Sequence, residues 1–433
     1  MALLFCCWNS AMSPHAAAEE GQYQTWNAKG QLTYVWQQKG SFAAAYSGAH
    51  SLAPGREKSY SFTATAYLGV RPWENGELYF NPEAAQGVAL SGLTGLGGFS
   101  NGEIARTAGP NLTVYRARLF LRQTWGLGGA TQAVEADANR LGGLVQKRRL
   151  VLTAGNLSIP DIFDDNAYSH DARTQFLNWS LVTHGAYDFA ADARGYTWGA
   201  ALEYYYDNWV LRAGRFAQPR EPNQQPIDAR IFQHYGDQVE LEHAHLSGSQ
   251  PGTVRLLAFR NRAKMSRFRD ALDTAAGGPP DINAVRSGEQ VKYGAGVNVE
   301  QSITRNAGVF ARLSWADGRT ETYAYTEIDR SLSAGIVIKG AAWGRGKDEV
   351  GAALAANGLS RAHRDYLAAG GLGFFLGDGR LNYRPEIIAE TYYSLSVAKA
   401  AWVSAGLQCI VHPAYNADRG PVSIATVRLH AEF

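Results

Sequence analysis

The sequence contains few cysteines and no long apolar run. Only three cysteines occur among 433 residues. Cys6 and Cys7 lie in an apolar N-terminal segment, so Cys409 stands alone in the body of the chain, which excludes a disulfide framework and a cysteine metal cluster. The apolar runs, such as LLFCCW near the start, are far shorter than the ~20 residues of a transmembrane helix. The mean hydropathy of -0.26 still fits membrane strands, which present only every second residue to lipid.

A charge excess of one sign is also missing. The 41 basic and 39 acidic residues give a net charge of +2 and are spread along the chain, so nucleic acid is not expected as a partner. The hydrophobic share of 45% excludes a disordered chain and allows a large core.

The N-terminal residues have the pattern of an export signal. A short apolar stretch from Ala2 to Trp8 leads to Ala16, Ala17 and Ala18, which precede two glutamates. This order predicts a signal peptide at 1–18 with cleavage after the alanines, and a mature domain at 19–433. No basic residue precedes the apolar stretch, so a frayed soluble N-terminus is the alternative.

What the sequence does have, from Gly30 to its end, is alternation of apolar and polar residues. In the last segment Val427, Leu429 and Phe433 fall on one face of a strand and Arg428 and His430 on the other. A membrane barrel turns the apolar face to lipid and the polar face to a watery lumen, whereas a soluble sandwich buries the apolar face against a second sheet. Alternation alone fits both architectures.

Strand length and aromatic placement favour the barrel. Many alternating segments reach or exceed the ~9 to 11 residues that cross a bilayer at a tilt, and aromatic residues near their ends suit interfacial girdles. We therefore predict an all-β protein, a transmembrane antiparallel β-barrel of about 16 strands. The predicted strands are 30–38, 59–71, 76–81, 113–125, 148–155, 196–206, 208–216, 236–247, 251–262, 289–300, 306–317, 330–342, 347–357, 381–395, 399–411 and 421–433.

The connections between these strands alternate in length. Asp207–Asn208 is typical of a tight hairpin turn, whereas 83–110, 159–195, 220–235 and 264–287 are long. Short turns on one rim and long extracellular loops on the other are the outer-membrane arrangement. We expect some long loops to fold into the pore, and short helices at 266–276 and 360–369.

Charged residues on the predicted inward faces suggest a pore lining. Three arginines share one face of a strand that has Tyr115, Ala117 and Leu119 on its other face. Facing rows of fixed charge form a lattice of donors and acceptors along which sugar hydroxyls can step; the alternative is that the charges only pair and stiffen the wall. The strand residues predicted to line the narrow zone are Arg116, Arg118, Arg122, Glu240, Glu242, Arg384 and Glu386.

The segment from Asp161 to Trp179 concentrates acidic, amide and aromatic side chains between two strands. One interpretation is an infolded loop that narrows the pore; calcium binding by its carboxylates and simple solvation of a loop are the alternatives, and the spacing does not fit an EF-hand. The loop residues predicted to line the path are Asp164, Asp165, Asn166 and Arg173.

A second metal candidate is the pair His243 and His245. The spacing suits metal binding on one strand face, but no third ligand is recognisable, and Val239 and Leu241 share that face. We interpret the pair as interfacial and expect no metal and no cofactor.

Several motifs resemble the carbohydrate-selective porins of the OprB family. They are Phe163-Asp-Asp-Asn-Ala-Tyr, Asp171-Ala-Arg-Thr-Gln-Phe-Leu-Asn, Ala190-Ala-Asp-Ala-Arg-Gly-Tyr-Thr-Trp-Gly, Leu211-Arg-Ala-Gly-Arg-Phe, Tyr383-Arg-Pro-Glu and His412-Pro-Ala-Tyr-Asn-Ala-Asp-Arg-Gly-Pro. The resemblance implies a sixteen-stranded outer-membrane barrel that passes monosaccharides, glucose typically, through a constriction of infolded loops. It also implies that the C-terminal aromatic, Phe433, is read by the barrel-assembly machinery.

We therefore expect a Gram-negative outer-membrane porin for gradient-driven diffusion of mono- and small oligosaccharides. Its expected partners are these sugars, membrane lipid and lipopolysaccharide, and the assembly machinery, and its oligomeric state is monomer or trimer. Export of an exopolysaccharide is an alternative that calls for a lining of one charge sign. A barrel enzyme would need a Ser-His pair on the lipid-facing wall, for which the sequence offers no alignment, and a soluble sugar-binding β-protein is the remaining alternative.

Overall fold

The computed structural model describes residues 23–325 and 327–433, so the predicted signal peptide at 1–18 lies outside the described residues. Sixteen strands make up the wall. They are β1 Trp26–Lys39, β2 Glu57–Trp73, β3 Gly76–Val88, β4 Thr113–Val134, β5 Gly143–Leu157, β6 Thr197–Tyr206, β7 Trp209–Ala217, β8 Tyr235–Ser247, β9 Gln250–Lys264, β10 Glu289–Thr304, β11 Ala307–Ala316, β12 Arg330–Lys339, β13 Glu349–Gly358, β14 Glu386–Ala398, β15 Ala401–Val411 and β16 Val422–Glu432.

Each strand pairs in antiparallel fashion with its neighbours in the chain, and β1 pairs with β16 to close the barrel. The closing ladder runs from Gln31 opposite Glu432 to Lys39 opposite Ile424. A closed barrel leaves no sheet edge with unpaired backbone groups, which is a condition for crossing a bilayer with strands. The predicted fold class and the predicted number of strands are confirmed.

The two faces of the wall differ as the alternation predicts. On β16, Arg428 and His430 point inward and are buried, whereas Val427 and Leu429 point outward and are exposed. Large exposed apolar side chains recur around the outer wall, with Leu313 at 57% and Leu354 at 61% exposure. Such a surface is costly in water and suits a lipid environment.

The connections separate into two rims. One end, here called the loop rim, carries the long connections 40–56, 89–112, 158–196, 218–234, 265–288, 317–329, 359–385 and 412–421. The other end, the turn rim, carries two-residue turns such as Asp207–Asn208 and two longer turns, 135–142 and 340–348. Three short helices lie in the loops: α1 Trp179–Val182, α2 Phe268–Asp273 and α3 Arg361–Ala368. Within the described residues no helix is long and apolar enough to span a membrane.

The interior of the barrel is filled mainly by the loop 158–196. Phe163 and Phe189 of this loop are buried in one apolar cluster with wall residues such as Phe216. Phe176 and Leu181 are buried in a second cluster with Phe310 of β11. The prediction that a long loop folds into the lumen is therefore confirmed.

Strand bounds differ from the prediction mainly on β3 and β4. β3 continues through Pro82 to Val88, and β4 continues through Gly126, Gly128 and Gly129 to Val134. Because proline and glycine are poor strand residues, the sequence pattern predicted that the two strands end at these positions. The strands instead continue through a bend.

Candidate pore constriction

A cavity of about 1060 Å³ runs along one side of the lumen. Its wall residues come from β1 to β7 and β16, and among the described residues none of its lining lies on β8 to β15. The lumen therefore has two halves. In the filled half, beside β8 to β15, the loops occupy the interior; the open half, beside β1 to β7, contains the cavity.

The filled half is built around Asp164. This carboxylate accepts from Nε of Arg312 at 3.0 Å, from the hydroxyl of Thr183 at 2.7 Å and from the backbone N–H of His184 at 2.8 Å. Burial alone would raise the pKa of Asp164, but the charge of Arg312 and the nearby His184 hold the pKa well below its usual range. The carboxylate thus stays charged and fixes the loop 158–196 to β11.

Glu240 and Glu242 belong to the same anchoring network. Glu240 is fully buried, accepts the backbone N–H of Asp164 at 2.8 Å and pairs with Arg212 at 3.0 Å. Glu242 bridges Arg212 and Arg255, both at 2.8 Å. The two glutamates point into the lumen, but they contact the infolded loop and neighbouring strands and are not part of the cavity lining.

Glu386 also holds loops in place. Its carboxylate accepts backbone N–H groups of Gly97 at 3.0 Å, Gly98 at 2.8 Å and Ala414 at 2.9 Å. It therefore ties the loops 89–112 and 412–421 to the inner wall. Arg384 lies just before β14, where it is exposed outside the cavity.

Arg428 completes the fixation of the loop 158–196 on the far wall. Its guanidinium donates to the carbonyl oxygens of Ala172 at 2.8 Å, Thr174 at 2.7 Å and Gln175 at 2.6 Å. Because Arg312 on β11 holds Asp164 and Leu181 of the loop and Arg428 on β16 holds residues 172–175, the loop crosses the lumen and narrows the open half.

Arg173 projects from that loop into the open half. Its guanidinium donates to Glu103 at 2.8 Å, to Glu83 at 3.0 Å and to the hydroxyl of Tyr67 at 2.7 Å. Burial raises the pKa of the Glu103 carboxyl, and the charge of Arg173 opposes that effect. A basic group and two acidic groups thus meet at the narrow zone.

Arg118 lies beside this cluster on the inner face of β4. It donates two hydrogen bonds, each of 2.6 Å, to the carboxylate of Asp161, a bidentate geometry that fixes both side chains. Its guanidinium carbon lies 5.2 Å from the ring centre of Tyr196. Arg122, four residues further along β4 and therefore on the same face, also lines the cavity.

Aromatic rings complete the narrow zone. The rings of Tyr115 and Tyr196 are 6.3 Å apart, and Trp179 stacks on Tyr325 with centres 5.0 Å apart. All four line the cavity. Flat apolar faces therefore lie beside the fixed charges, a combination suited to polyhydroxylated rings.

The structure separates Arg116 from the other two arginines of β4. The pairing of β3 with β4 shifts between Asn81 opposite Arg118 and Pro82 opposite Arg116, which leaves Ala117 as the extra residue of a bulge. Arg116 consequently points outward, 5.1 Å above the ring of Trp198. The expectation that the three arginines share one face is wrong for Arg116, and Tyr115, assigned to the outer face, points inward to Glu83.

The remaining predicted loop residues divide between the two halves. Asp165 lines the cavity, whereas Asn166 is buried and donates to Asn298 of β10 at 2.7 Å. No group of three or more potential metal-ligating side chains occurs in the part of the chain that the structure describes. His243 packs on Trp209, with ring centres 4.1 Å apart, near the turn rim.

Several residues of the narrow zone were not predicted. Tyr67 alternates inward on β2 and Glu83 on β3, but the predicted strand 76–81 ended before Glu83 and placed it in a loop. Glu103, Asp161 and Trp179 lie in loops, where no period assigns a direction. Tyr196 is the first residue of the predicted strand 196–206, whereas β6 begins at Thr197. The motif around Ala190, which carries Tyr196, was the available signal for one of them.

Comparisons with known proteins agree with this architecture. The family model described as "Carbohydrate-selective porin, OprB family" matches residues 50–433. A search of curated proteins found no match. The high-pH structure of Pseudomonas putida OprB is similar with a TM-score of 0.71 and 16% identity, covering 97% of this chain and 100% of that one. The low-pH structure of the same protein has a TM-score of 0.50 and 14% identity, covering 94% and 93%.

At these identities the solved structures show the fold alone, whereas the family model covers most of the chain. The closed sixteen-strand barrel, its apolar outer wall and its infolded loop are consistent with that family. The loop rim is therefore extracellular and the turn rim periplasmic, and the chain belongs to the OprB family of carbohydrate-selective porins of the outer membrane.

Proposed function

We propose that the open half of the lumen conducts mono- and small oligosaccharides of the glucose type, driven only by their gradient. The proposal rests on two sets of contacts beside the aromatic rings of the cavity. Arg118 pairs with Asp161, and Arg173 pairs with Glu83 and Glu103. In this proposal the predicted lining residues Arg118, Arg122, Asp165 and Arg173 touch the sugar. Glu240, Glu242, Asp164, Asn166 and Glu386 act indirectly, by holding the loops that set the width.

The chemistry of the narrow zone suits a neutral polyol. Sugar hydroxyls both donate and accept, so guanidinium donors and carboxylate acceptors can replace the water that the sugar loses. Arg118 and Arg173 are already paired with acidic side chains, as in the 2.6 Å contacts of Arg118 with Asp161, so neither guanidinium is free to hold an ion. The face of a pyranose ring is apolar enough to pass along tyrosine and tryptophan rings.

Liposome swelling tests this function. Liposomes that contain the protein should swell faster in glucose than in an amino acid of equal size, because the zwitterion meets charges already neutralised by their partners. Protein-free liposomes give the baseline. Equal rates for the two solutes would contradict sugar selectivity.

Exopolysaccharide export is the second candidate within transport. It would be favoured by a lining of one charge sign, whereas Arg173 meets Glu83 and Glu103 within 3.0 Å. The mixed signs support uptake of small sugars. Neighbouring genes for sugar uptake, and not for polysaccharide synthesis, are the expected genomic setting.

We propose that residues 19–433 act as a single exported domain without catalytic activity. One segment, Gly98 to Gly102, has the G-x-S-x-G spacing of a hydrolase nucleophile turn. Its Ser100 hydroxyl donates to Gln37 at 3.0 Å, and its carbonyl accepts from Gln37 and Gln408. These contacts give the segment a structural role against β1 and β15.

We propose that lipopolysaccharide contacts basic residues on the outer wall near the extracellular rim. Arg215 and Arg260 lie 4.0 Å and 5.7 Å from the ring of Tyr235, and Arg116 lies over Trp198. Guanidinium groups in an aromatic girdle suit phosphate groups of an outer leaflet. The double variant Arg116→Ala and Arg260→Ala should retain less lipopolysaccharide on purification; unchanged retention would contradict this contact.

Phe433 is the proposed signal for the assembly machinery. Its backbone exchanges two hydrogen bonds with Gly30, of 2.7 Å and 3.0 Å, while its ring is 73% exposed. Deleting Phe433 should reduce the amount of barrel in the outer membrane, and an unchanged amount would contradict the role. The predicted oligomeric state, monomer or trimer, is measured by native mass determination in detergent.

A further inference from the structure

The hairpin of β4 and β5 extends beyond its neighbours at the periplasmic rim. The ladder of β3 with β4 ends at Gly76 opposite Gln123. The ladder of β5 with β6 begins at Arg149 opposite Tyr205. Thr124 still donates its N–H to Asn75 and Arg148 still pairs with Asp207 of the neighbouring turns. The residues between them continue past both turns.

This extension bends back toward the barrel. The register between β4 and β5 shifts between Gly126 and Gly128, and again between Gly128 and Thr131. Gly128 and Gly129 have φ of 102° and 80°, in the left-handed region that favours glycine. The glycines thus permit a bend that ordinary residues would strain, and it carries the tip, residues 135–142, under the mouth.

The tip is bound on its far side by β1. Nζ of Lys29 donates to the carbonyl oxygen of Ala136 at 2.9 Å, and Nδ2 of Asn27 donates to that of Asp137 at 3.2 Å. Lys29 and Asn27 alternate with outward residues and so lie on the lumen face, together with Gln31. Because β2 and β3 separate β1 from β4, the tip reaches across part of the periplasmic opening.

The near side of the tip is held by β3 and β4. Leu141 is buried in an apolar cluster with Tyr79 and Phe120, and its N–H donates to the Tyr79 hydroxyl at 2.9 Å. Arg122 donates to the carbonyl oxygen of Asn139 at 2.8 Å. The tip is therefore docked by polar contacts on both sides and by one apolar side chain.

The docked tip lines the same cavity as the constriction. Glu135, Asp137 and Arg140 of the tip belong to its lining, as do Arg149 of β5 and Tyr205 of β6. We infer that residues 135–142 form a second, periplasmic stage of the filter, which a sugar passes after the constriction at Arg118 and Arg173. This stage again combines acids, arginines and a tyrosine, so it selects small neutral polyols by the same chemistry and limits their size. The inference rests on the proposed function.

Shortening the tip tests the inference. In one variant Asn-Gly, a favoured two-residue turn, replaces 135–142; in the matched control Asn-Gly replaces 340–348, the other longer periplasmic turn, no described residue of which lines the cavity. Two comparable narrow stages act in series, so removing one should raise single-channel conductance about two-fold. Disaccharide uptake should also accelerate, and the control should match the wild type. Unchanged conductance in the tip variant would overturn the inference.

A point variant covers the case in which shortening disturbs folding. Asn139→Cys, in a Cys409→Ser background, is treated with a bulky charged thiol reagent, beside Ala341→Cys and the same protein without an added cysteine. After the reagent is added, the conductance should fall for Asn139→Cys alone. An unaffected conductance in this variant would contradict the second, periplasmic stage of the filter. Sugar selectivity of the wild type tests the proposed function separately, so the two ideas fail by different measurements.

Discussion

The filled and open halves of the lumen contain the same kinds of charged residues and use them differently. In the filled half, Asp164, Glu240 and Glu386 accept backbone N–H groups of infolded loops and are almost completely buried. In the open half, Arg118 and Arg173 pair only with side chains and keep one side toward the cavity. Among these five residues, the three anchors have backbone partners, which fix the loops, and the two lining arginines have side-chain partners, which leave the guanidinium groups accessible.

The largest effect is expected from Arg312→Met in the filled half. The substitution leaves Asp164 as a buried charge without its main partner, which costs about 3–5 kcal/mol. On gels, the fast-migrating folded band of Arg312→Met should disappear after heating at a lower temperature than the folded band of the wild type. Arg118→Met, the same change in the open half, is the control and should keep the wild-type transition. Equal transition temperatures for Arg312→Met and Arg118→Met would contradict the distinction between the filled and the open half.

Ion selectivity should separate the two arginines that the β4 bulge places on opposite faces. Arg118→Glu reverses a charge in the narrow zone and should shift the reversal potential in a salt gradient toward cation selectivity. Arg116→Glu makes the same change two residues earlier on the outer wall and should leave the potential unchanged. An equal shift for both, or none for Arg118→Glu, would show that the assignment of faces is wrong.

The aromatic part of the narrow zone should affect sugars more than ions. Tyr196→Ala removes a ring beside Arg118 and should weaken the block of ion current by glucose several-fold, with a smaller change in the conductance itself. Tyr204→Ala, on the outer face of β6, is the matched control. Loss of conductance without any change in glucose block would argue against a ring platform.

The smallest effect is expected from pH. Burial raises the pKa of Glu103, against the opposing charge of Arg173, so this carboxyl binds its proton at a higher pH than an exposed glutamate does. As the pH falls from neutral to mildly acidic, Arg173 loses part of its negative surroundings and the pore should pass more anions. The reversal potential measures this shift. Glu103→Gln should abolish the part of this shift that comes from protonation of Glu103. A shift of full size in the variant would show that another group causes it.

The fold could be predicted because membrane strands repeat a two-residue period over long segments. β16 and β11 illustrate this, since their inward residues Arg428 and Arg312 follow directly from alternation. The bulge beside Pro82 broke the period on β4, and Arg116 was placed on the wrong face for that reason. The proline, which cannot donate to a ladder, was the only signal of that break in the sequence.

The site was predictable only in part, because strand direction does not determine tertiary partners. Alternation turns Glu240 and Glu386 inward, yet nothing in their spacing indicates that loop backbone would reach them. Glu103 lies in the loop 89–112 and Asp161 in the loop 158–196, and their partners Arg173 and Arg118 are distant from them in sequence. The composition of that loop indicated an infolded segment, whereas the contacts it makes depend on the whole barrel.

The most direct test of the account is a glucose titration of single-channel conductance. Wild type, Arg118→Met and Arg116→Met are compared under the same ionic conditions. We expect a saturable fall of the ion current in the wild type and in Arg116→Met, and a clearly weaker fall in Arg118→Met, because Arg118 lines the cavity and Arg116 lies on the outer wall. Identical glucose curves for all three proteins would contradict sugar passage through the constriction at Arg118 and Arg173.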